Sequence, residues 1–146
     1  MTVHAADKLI ESFPYPSIPK IEGTPCYETI AEVIMMLSAN AASVQTNLGC
    51  GTLGFLWLVV TPNVYNTLSN TPVDPPPNPG AAPIYREANG IGQVTIRHEF
   101  ASATNLYNLY INMEKALRQQ LLGTVDEIYT RSLRNRYTGY GTSTTR

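Results

Sequence analysis

Apolar residues recur at helical spacing in two long stretches of the chain. In the first, Ile30, Ile34, Leu37, Ala41 and Val44 follow one another at three- and four-residue steps, which predicts a helix with those residues facing a core. Thr24 supplies an N-cap, Pro25 suits the first helical position, and Glu28 falls in the first turn, where the dipole favours an acid. Asn47 and Gly49 are expected to end it. In the second stretch Val94, Ala101, Leu106, Leu109, Tyr110, Met113, Leu117 and Leu121 form a stripe. It predicts a helix over 94–122, about 40 Å long if unbroken, stopped by Gly123 and open to a break near Ser102–Asn105.

Shorter segments lie around these two. Residues 53–60 (LGFLWLVV) are uniformly apolar, so periodicity does not separate a buried strand from a buried helical turn. Either way the segment is core, with Trp57 as its largest anchor. Thr61-Pro62 repeats the cap-then-proline signature before a short helix carrying Val64, Tyr65 and Leu68. Thr124 with Glu127 three residues on predicts a capping box, followed by a helix with Ile128, Tyr129 and Leu133 inward. Before the first helix, Pro14, Pro16 and Pro19 predict an extended arm over residues 1–23, with Phe13 and Tyr15 available to staple it to a neighbouring surface. Pro72, Pro75, Pro76, Pro77, Pro79 and Pro83 make 71–83 a stiff, exposed proline-rich loop. The fold expected is mainly α: a compact domain of about four to six helices over 24–146, preceded by that arm. Gly139–Arg146 offers N-cap residues, Thr142 and Ser143, with no helix behind them. The chain is therefore expected to be cut before a further helix.

Composition narrows the function classes. The 146 residues are 43% hydrophobic but only 14% charged, with a net charge of −1. That gives no global field to attract nucleic acid or an anionic membrane. The apolar run at 53–60 is far short of the roughly 20 residues that span a bilayer. Cys26 and Cys50 lack the partners of a zinc module, and residues 1–11 carry Asp7, Lys8 and Glu11, so they form no secretory apolar core. A reducing, intracellular setting follows as the expectation.

Catalytic chemistry is thinly represented. Gly49-Cys50-Gly51-Thr52-Leu53-Gly54 spells GxGxxG, but a helical segment precedes it and Asp74 lies inside the proline run, so the dinucleotide-binding context fails. A glycine-rich turn from helix to core is the expected role. His98 and Glu99 are adjacent on a helix and so diverge, while Cys50 could act as a nucleophile only if His98 approached it. Asp126 and Glu127 are accounted for by capping. No catalytic residue, cofactor or metal is expected. Local binding chemistry concentrates at the C-terminal end, where Arg131, Arg134, Arg136 and Arg146 interleave with Tyr129, Tyr137 and Tyr140 and no acid follows residue 127. Arginine with aromatics suits phosphate contact and base stacking, and equally a helix terminus or a protein interface.

Three stretches together resemble a family. YETIAEVIMMLSANAASVQTNLGCGTLG (27–54), LWLVVTPNVYNTLS and KALRQQLLGTVDEIYTRSLRNRYTGYGTSTTR are similar to the Gag (capsid) region of copia-type long-terminal-repeat retrotransposon polyproteins. The CxxCxxxxHxxxxC zinc knuckle and the QGxxE signature of retroviral capsids do not occur. The resemblance implies a capsid-like helical domain that self-associates into a cytoplasmic particle around the element's RNA, with Arg131, Arg134, Arg136 and Tyr137 as candidate RNA or interface contacts and Phe13 and Tyr15 as a candidate assembly arm. The alternative expectation is a helical adaptor that binds a partner protein through the proline-rich loop or the arm.

Overall fold

The computed structural model describes residues 5–46, 53–69, 71, 75–81, 90–131, 134–135 and 139–140. The architecture is mainly helical, as the pattern predicts: α1 (Ala5–Ser12), α2 (Tyr27–Ser43), a 3₁₀ turn (Leu56–Leu58), α3 (Pro62–Leu68), α4 (Gly90–Thr124) and α5 (Glu127–Thr130). A two-residue antiparallel ladder follows, β1 (Arg134–Asn135) with β2 (Gly139–Tyr140), pairing Arg134 with Tyr140 and Asn135 with Gly139. The chain divides into two units, one of residues 1–74 with 112–146 and one of residues 75–111.

The first unit holds the hydrophobic core. Val33, Leu37 and Ala41 of α2 are buried, as are Phe55, Leu56, Trp57 and Leu58, Tyr65 of α3, and Met113, Ala116 and Leu117 of α4. The apolar 53–60 segment is thus core, and its backbone resolves the open choice. Leu58 N–H donates to Phe55 O at 2.9 Å and Val59 N–H to Leu56 O at 3.0 Å, a 3₁₀ turn and not a strand. Buried side chains on successive residues need a tight turn more than a flat ladder, which would send alternate residues to opposite faces.

Residues 1–23 are not simply an extended arm. Proline fixes its own φ, lacks an N–H and restricts only the residue directly before it, so Pro14 bars a helix from running on through Phe13 but leaves the segment up to Ser12 at liberty to form α1. Ala6 of α1 and Phe13 just beyond it are buried in the first unit. Ser12 Oγ donates to Leu9 O at 2.7 Å and Phe13 N–H to Ile10 O at 3.2 Å, closing the helix before Pro14. From Phe13 onward the chain is a strap held by side-chain amides. Tyr15 N–H donates to Asn40 Oδ1 and Asn40 Nδ2 donates back to Tyr15 O, both at 2.9 Å. Further along, Ile21 N–H donates to Thr124 O at 2.7 Å.

Helix α2 starts two residues later than its sequence suggests. Cys26, with extended backbone, is the N-cap, and its N–H donates to Thr29 Oγ1 at 2.9 Å, the backward half of a capping box. Its inward face also differs. Val33, Leu37, Asn40 and Ala41 are buried, whereas Ile30 and Ile34 are 43% and 44% exposed. The helix ends at Ser43; Asn47 and Gly49 lie outside the described residues. Thr61 caps α3 as expected, accepting from Val64 N–H. Only Tyr65 of α3 is buried, and Val64 and Leu68 are exposed, since a helix of seven residues offers one narrow face to the core.

Helix α4 continues through Ser102–Asn105 and past Gly123 to Thr124, whose hydroxyl bonds back to Leu121 O at 2.7 Å. In the first unit it buries Met113, Glu114, Ala116, Leu117, Gln120 and Thr124. In the second unit Pro76 is the one buried residue among those described, and Val94 is 65% exposed. Residues 75–80 carry no regular structure, in keeping with a proline-rich loop. The expected Thr124/Glu127 capping box gives way to a single N-cap two residues on: Asp126 caps α5, accepting from Ile128 N–H at 3.1 Å. Ile128 and Tyr129 are 62% and 45% exposed, not inward, because a single turn of helix covers no core face.

Candidate functional site

The most distinctive surface of the first unit is the outer side of α2. Among its 17 residues only Glu28 and Glu32 are charged, so the helix has more apolar side chains than one buried face can take. At 100° per residue Tyr27, Ile30, Ala31, Ile34 and Met35 fall within an arc of about 140°. All five are exposed, Tyr27 by 84% and Met35 by 57%. Buried Val33, Leu37 and Asn40 lie to one side of this arc, while buried Ala41 falls within it, two turns beyond Ile34, so the exposed apolar arc belongs to the N-terminal half of the helix. An amphipathic surface helix would carry polar residues there.

The opposite face of α2 shows why the helix is oriented as it is. Asn40 is fully buried and Gln120 is 9% exposed. Asn40 Nδ2 donates to Gln120 Oε1 at 2.9 Å, and Gln120 Nε2 reaches Tyr15 O at 3.1 Å. Turning Ile30 and Ile34 inward would carry Asn40 out of this network and leave buried amide groups unpaired. The amide cluster therefore selects the buried face and directs the Tyr27–Met35 face outward.

Electrostatics on α2 concentrate at its N-terminus. A backbone hydrogen bond at Glu28 itself, and then the Cys26 thiol, hold the Glu28 carboxyl below its usual 4.5, with slight desolvation opposing. At the other end Gly54, at φ +53°, packs its backbone onto the last carbonyls of the helix. A Cβ there would lie 2.5 Å from Val44 O and 2.7 Å from Ala42 O, while Phe55 N–H donates to Ala41 O at 2.9 Å. Gly54 thus serves the helix-to-core turn expected of it. Converging carbonyls present partial negative charge, the reverse of the amide cradle a dinucleotide phosphate requires. Gly49, Cys50 and Gly51 lie outside the described residues.

The residues singled out by sequence are dispersed. Arg131 is exposed at the end of α5. Arg134 is placed by its backbone in β1, opposite Tyr140, while Arg136 and Tyr137 lie outside the described residues. Of the assembly-arm pair, Phe13 is 4% exposed and belongs to the core, a correction that follows from its position on the inner side of the α1 turn. Tyr15 remains 39% exposed. His98 is an exposed residue of α4, and Cys50, its possible partner, is outside the described residues. A second surface lies where the 19–24 segment faces Asp126, Ile128 and Tyr129 across an open groove of about 760 Å³. Among the described residues no three His, Cys, Asp or Glu side chains converge as metal ligands do, and no helix is long and apolar enough to cross a membrane.

No protein family, no curated protein and no solved structure matches the chain.

Proposed function

We propose that this chain is a structural, non-catalytic building block that self-associates through helix faces, in the manner of a capsid-like Gag domain assembling around retroelement RNA. The observation that supports the reading is the exposed apolar arc of α2, Tyr27, Ile30, Ile34 and Met35. Contiguous apolar surface of this kind marks interaction sites in soluble proteins. Val64 and Leu68 on α3 and Ile128 and Tyr129 on α5 add further exposed apolar positions, as a subunit with several neighbours would need. The resemblance of 27–54 and 115–146 to Gag sequences supplies the particle and its RNA. Arg131, with Arg134, Arg136 and Tyr137 beyond it, is the proposed RNA contact, acting inside a cytoplasmic particle.

The test is sedimentation velocity and negative-stain electron microscopy of the purified chain over rising protein and salt concentration. Oligomers or particles that grow with concentration are the expected result; a monomer at every concentration would sink the proposal. RNA contact is read separately, as binding whose affinity falls linearly in log salt and weakens when Arg131, Arg134 and Arg136 are all replaced by Ala.

A further inference from the structure

From the way residues 5–21 are fastened within the first unit, and resting on the self-association reading above, we propose that two copies of the chain exchange this N-terminal arm, each seating it on the other's α2 and α4. The surface that receives the arm and the segment that fills it are both present in the closed chain. Ala6 and Phe13 of the arm are buried. Asn40 clamps the Tyr15 backbone on both edges at 2.9 Å. Gln120 Nε2 donates to Tyr15 O at 3.1 Å and to Pro16 O at 3.4 Å. Gln119 Nε2 donates to Asp7 Oδ1 at 3.4 Å, and Ile21 N–H to Thr124 O at 2.7 Å. Each of these bonds joins the arm to α2 or α4, so a second copy offers the arm the same partners.

The joint between arm and body is free to open. Glu22, Gly23 and Thr24 are exposed and, among the described residues, make no hydrogen bond. They line one side of the open groove that faces Asp126, Ile128 and Tyr129, so nothing packs the joint down. Gly23 turns the chain at φ +71° with empty space around it, and glycine passes from there to an extended conformation without steric cost. Extended, residues 22–26 reach about 17 Å, room to carry the arm off its own body and onto a neighbour's. Upstream, Pro14, Pro16 and Pro19 stiffen the strap, so it transfers as one piece. Concentration then decides which body the arm occupies. The contacts are the same in both forms, and what favours the closed chain is the effective concentration of a tethered arm, on the order of millimolar for a short linker. Dilute chains therefore close on themselves, whereas subunits crowded to that local concentration in an assembly exchange. A second copy is the occupant this selects, because the receiving surface is already matched to this arm.

The test uses the full chain with Cys26→Ser and Cys50→Ser, which removes the native thiols while Ser retains a capping side chain at position 26. In that background Asp7→Cys and Gln119→Cys are placed in separate chains, mixed in equal amounts up to millimolar concentration and treated with a short bismaleimide. Mass spectrometry reads which positions are joined. Positions 7 and 119 meet where an arm sits on α4, so a 7–119 cross-link between different chains reports exchange; Val64→Cys on α3 in place of Gln119→Cys measures chance collisions. The expected result is a 7–119 yield that rises with concentration to at least tenfold over the Val64→Cys control. Deleting Gly23 and Thr24, which leaves the joint too short for the arm to close on its own body, should bring exchanged dimers down to micromolar concentration. A 7–119 yield no higher than the control, or a shortened chain that folds and stays monomeric, overturns the exchange; oligomers of the parent chain in sedimentation would then leave self-association standing through other surfaces. A parent chain that stays monomeric at every concentration overturns both.

Discussion

Asn40 holds the Tyr15 backbone by both edges of one amide: it accepts from Tyr15 N–H and donates to Tyr15 O, each at 2.9 Å. A side chain from α2 thus takes the place of a neighbouring β-strand for the strap that follows α1. The same amide donates to Gln120 Oε1, so one buried residue ties α1's strap, α2 and α4 together within the first unit. Asn40→Ala strands Tyr15 N–H and Gln120 Oε1, where unpaired polar atoms are costly, while Tyr15 O keeps its bond from Gln120 Nε2. We expect a loss of about 2–4 kcal/mol in urea unfolding. A loss under about 0.5 kcal/mol, the range of ordinary surface substitutions, would mean the clamp contributes nothing.

Gly54 and Gly23 make a matched pair for separating strain from collision. Both have positive φ, +53° and +71°, but a Cβ at Gly23 meets nothing within 4 Å while one at Gly54 strikes backbone oxygens of α2 at 2.5 and 2.7 Å. Gly23→Ala should cost only the left-handed backbone penalty, about 1–2 kcal/mol. Gly54→Ala should cost clearly more, about 3 kcal/mol or above, since carbonyls cannot step aside as a flexible side chain can. Equal losses in the two variants would show that the Gly54 contact relaxes without cost.

Arg118 and Glu114 form an i,i+4 ion pair at 3.0 Å, with side chains 22% and 7% exposed. The carboxylate is the more deeply buried member. Arg118→Met leaves it without its partner, and about 1–3 kcal/mol should be lost. Replacing Glu114 by Leu in the same chain removes the stranded charge and should restore much of that loss. A double variant no better than the single one would place the cost of Arg118→Met in packing and not in charge.

How far the sequence is legible depends on whether local chemistry or tertiary choice decides. The Thr61-Pro62 cap of α3, the core role of residues 53–60 and the long fourth helix are local matters, set by capping and sustained periodicity. The inward face of α2 is not. A helix apolar nearly all round gives periodicity no direction, so Ile30 and Ile34 read as core when they form the outer surface. The choice is made by Asn40, whose buried amide is indistinguishable in sequence from a surface asparagine. One signal was available: 17 residues with only two charges exceed what a single buried face can absorb. Helix α1 escaped because the prolines after it dominate the reading of residues 1–23, and the capping role of Cys26 because cysteine is seldom a cap. The C-terminal arginines were legible as a composition, but among them only Arg131 has a described side chain, an exposed one.

Glu28 gives a pH signature. Its folded-state pKa is depressed, so its contribution to stability is present above the usual carboxyl value of 4.5 and is lost as pH falls through the lower folded-state value. Because the group stands in water, the effect is best read directly, as the NMR titration of the Glu28 side chain. Cys26→Ala removes the thiol bond, the second cause of the shift, and the Glu28 midpoint should move up toward 4.5 without reaching it, since the backbone hydrogen bond remains. No movement would leave the backbone bond as the sole cause.

Phe13 and Tyr15 sit two residues apart and should behave oppositely. Phe13 is 4% exposed, and Phe13→Ala should open a cavity costing about 3–5 kcal/mol. Tyr15 is 39% exposed, and the hydrogen bonds it makes to Asn40 use its backbone, which Tyr15→Ala keeps. That variant should lose no more than about 1 kcal/mol. Parallel urea titrations decide the matter. Were the pair an arm reaching out to a neighbouring subunit, both substitutions would leave the isolated chain's stability unchanged and weaken only its association. A large loss at Phe13 alone places it in the core of its own subunit and leaves Tyr15 as the side chain still accessible for contact.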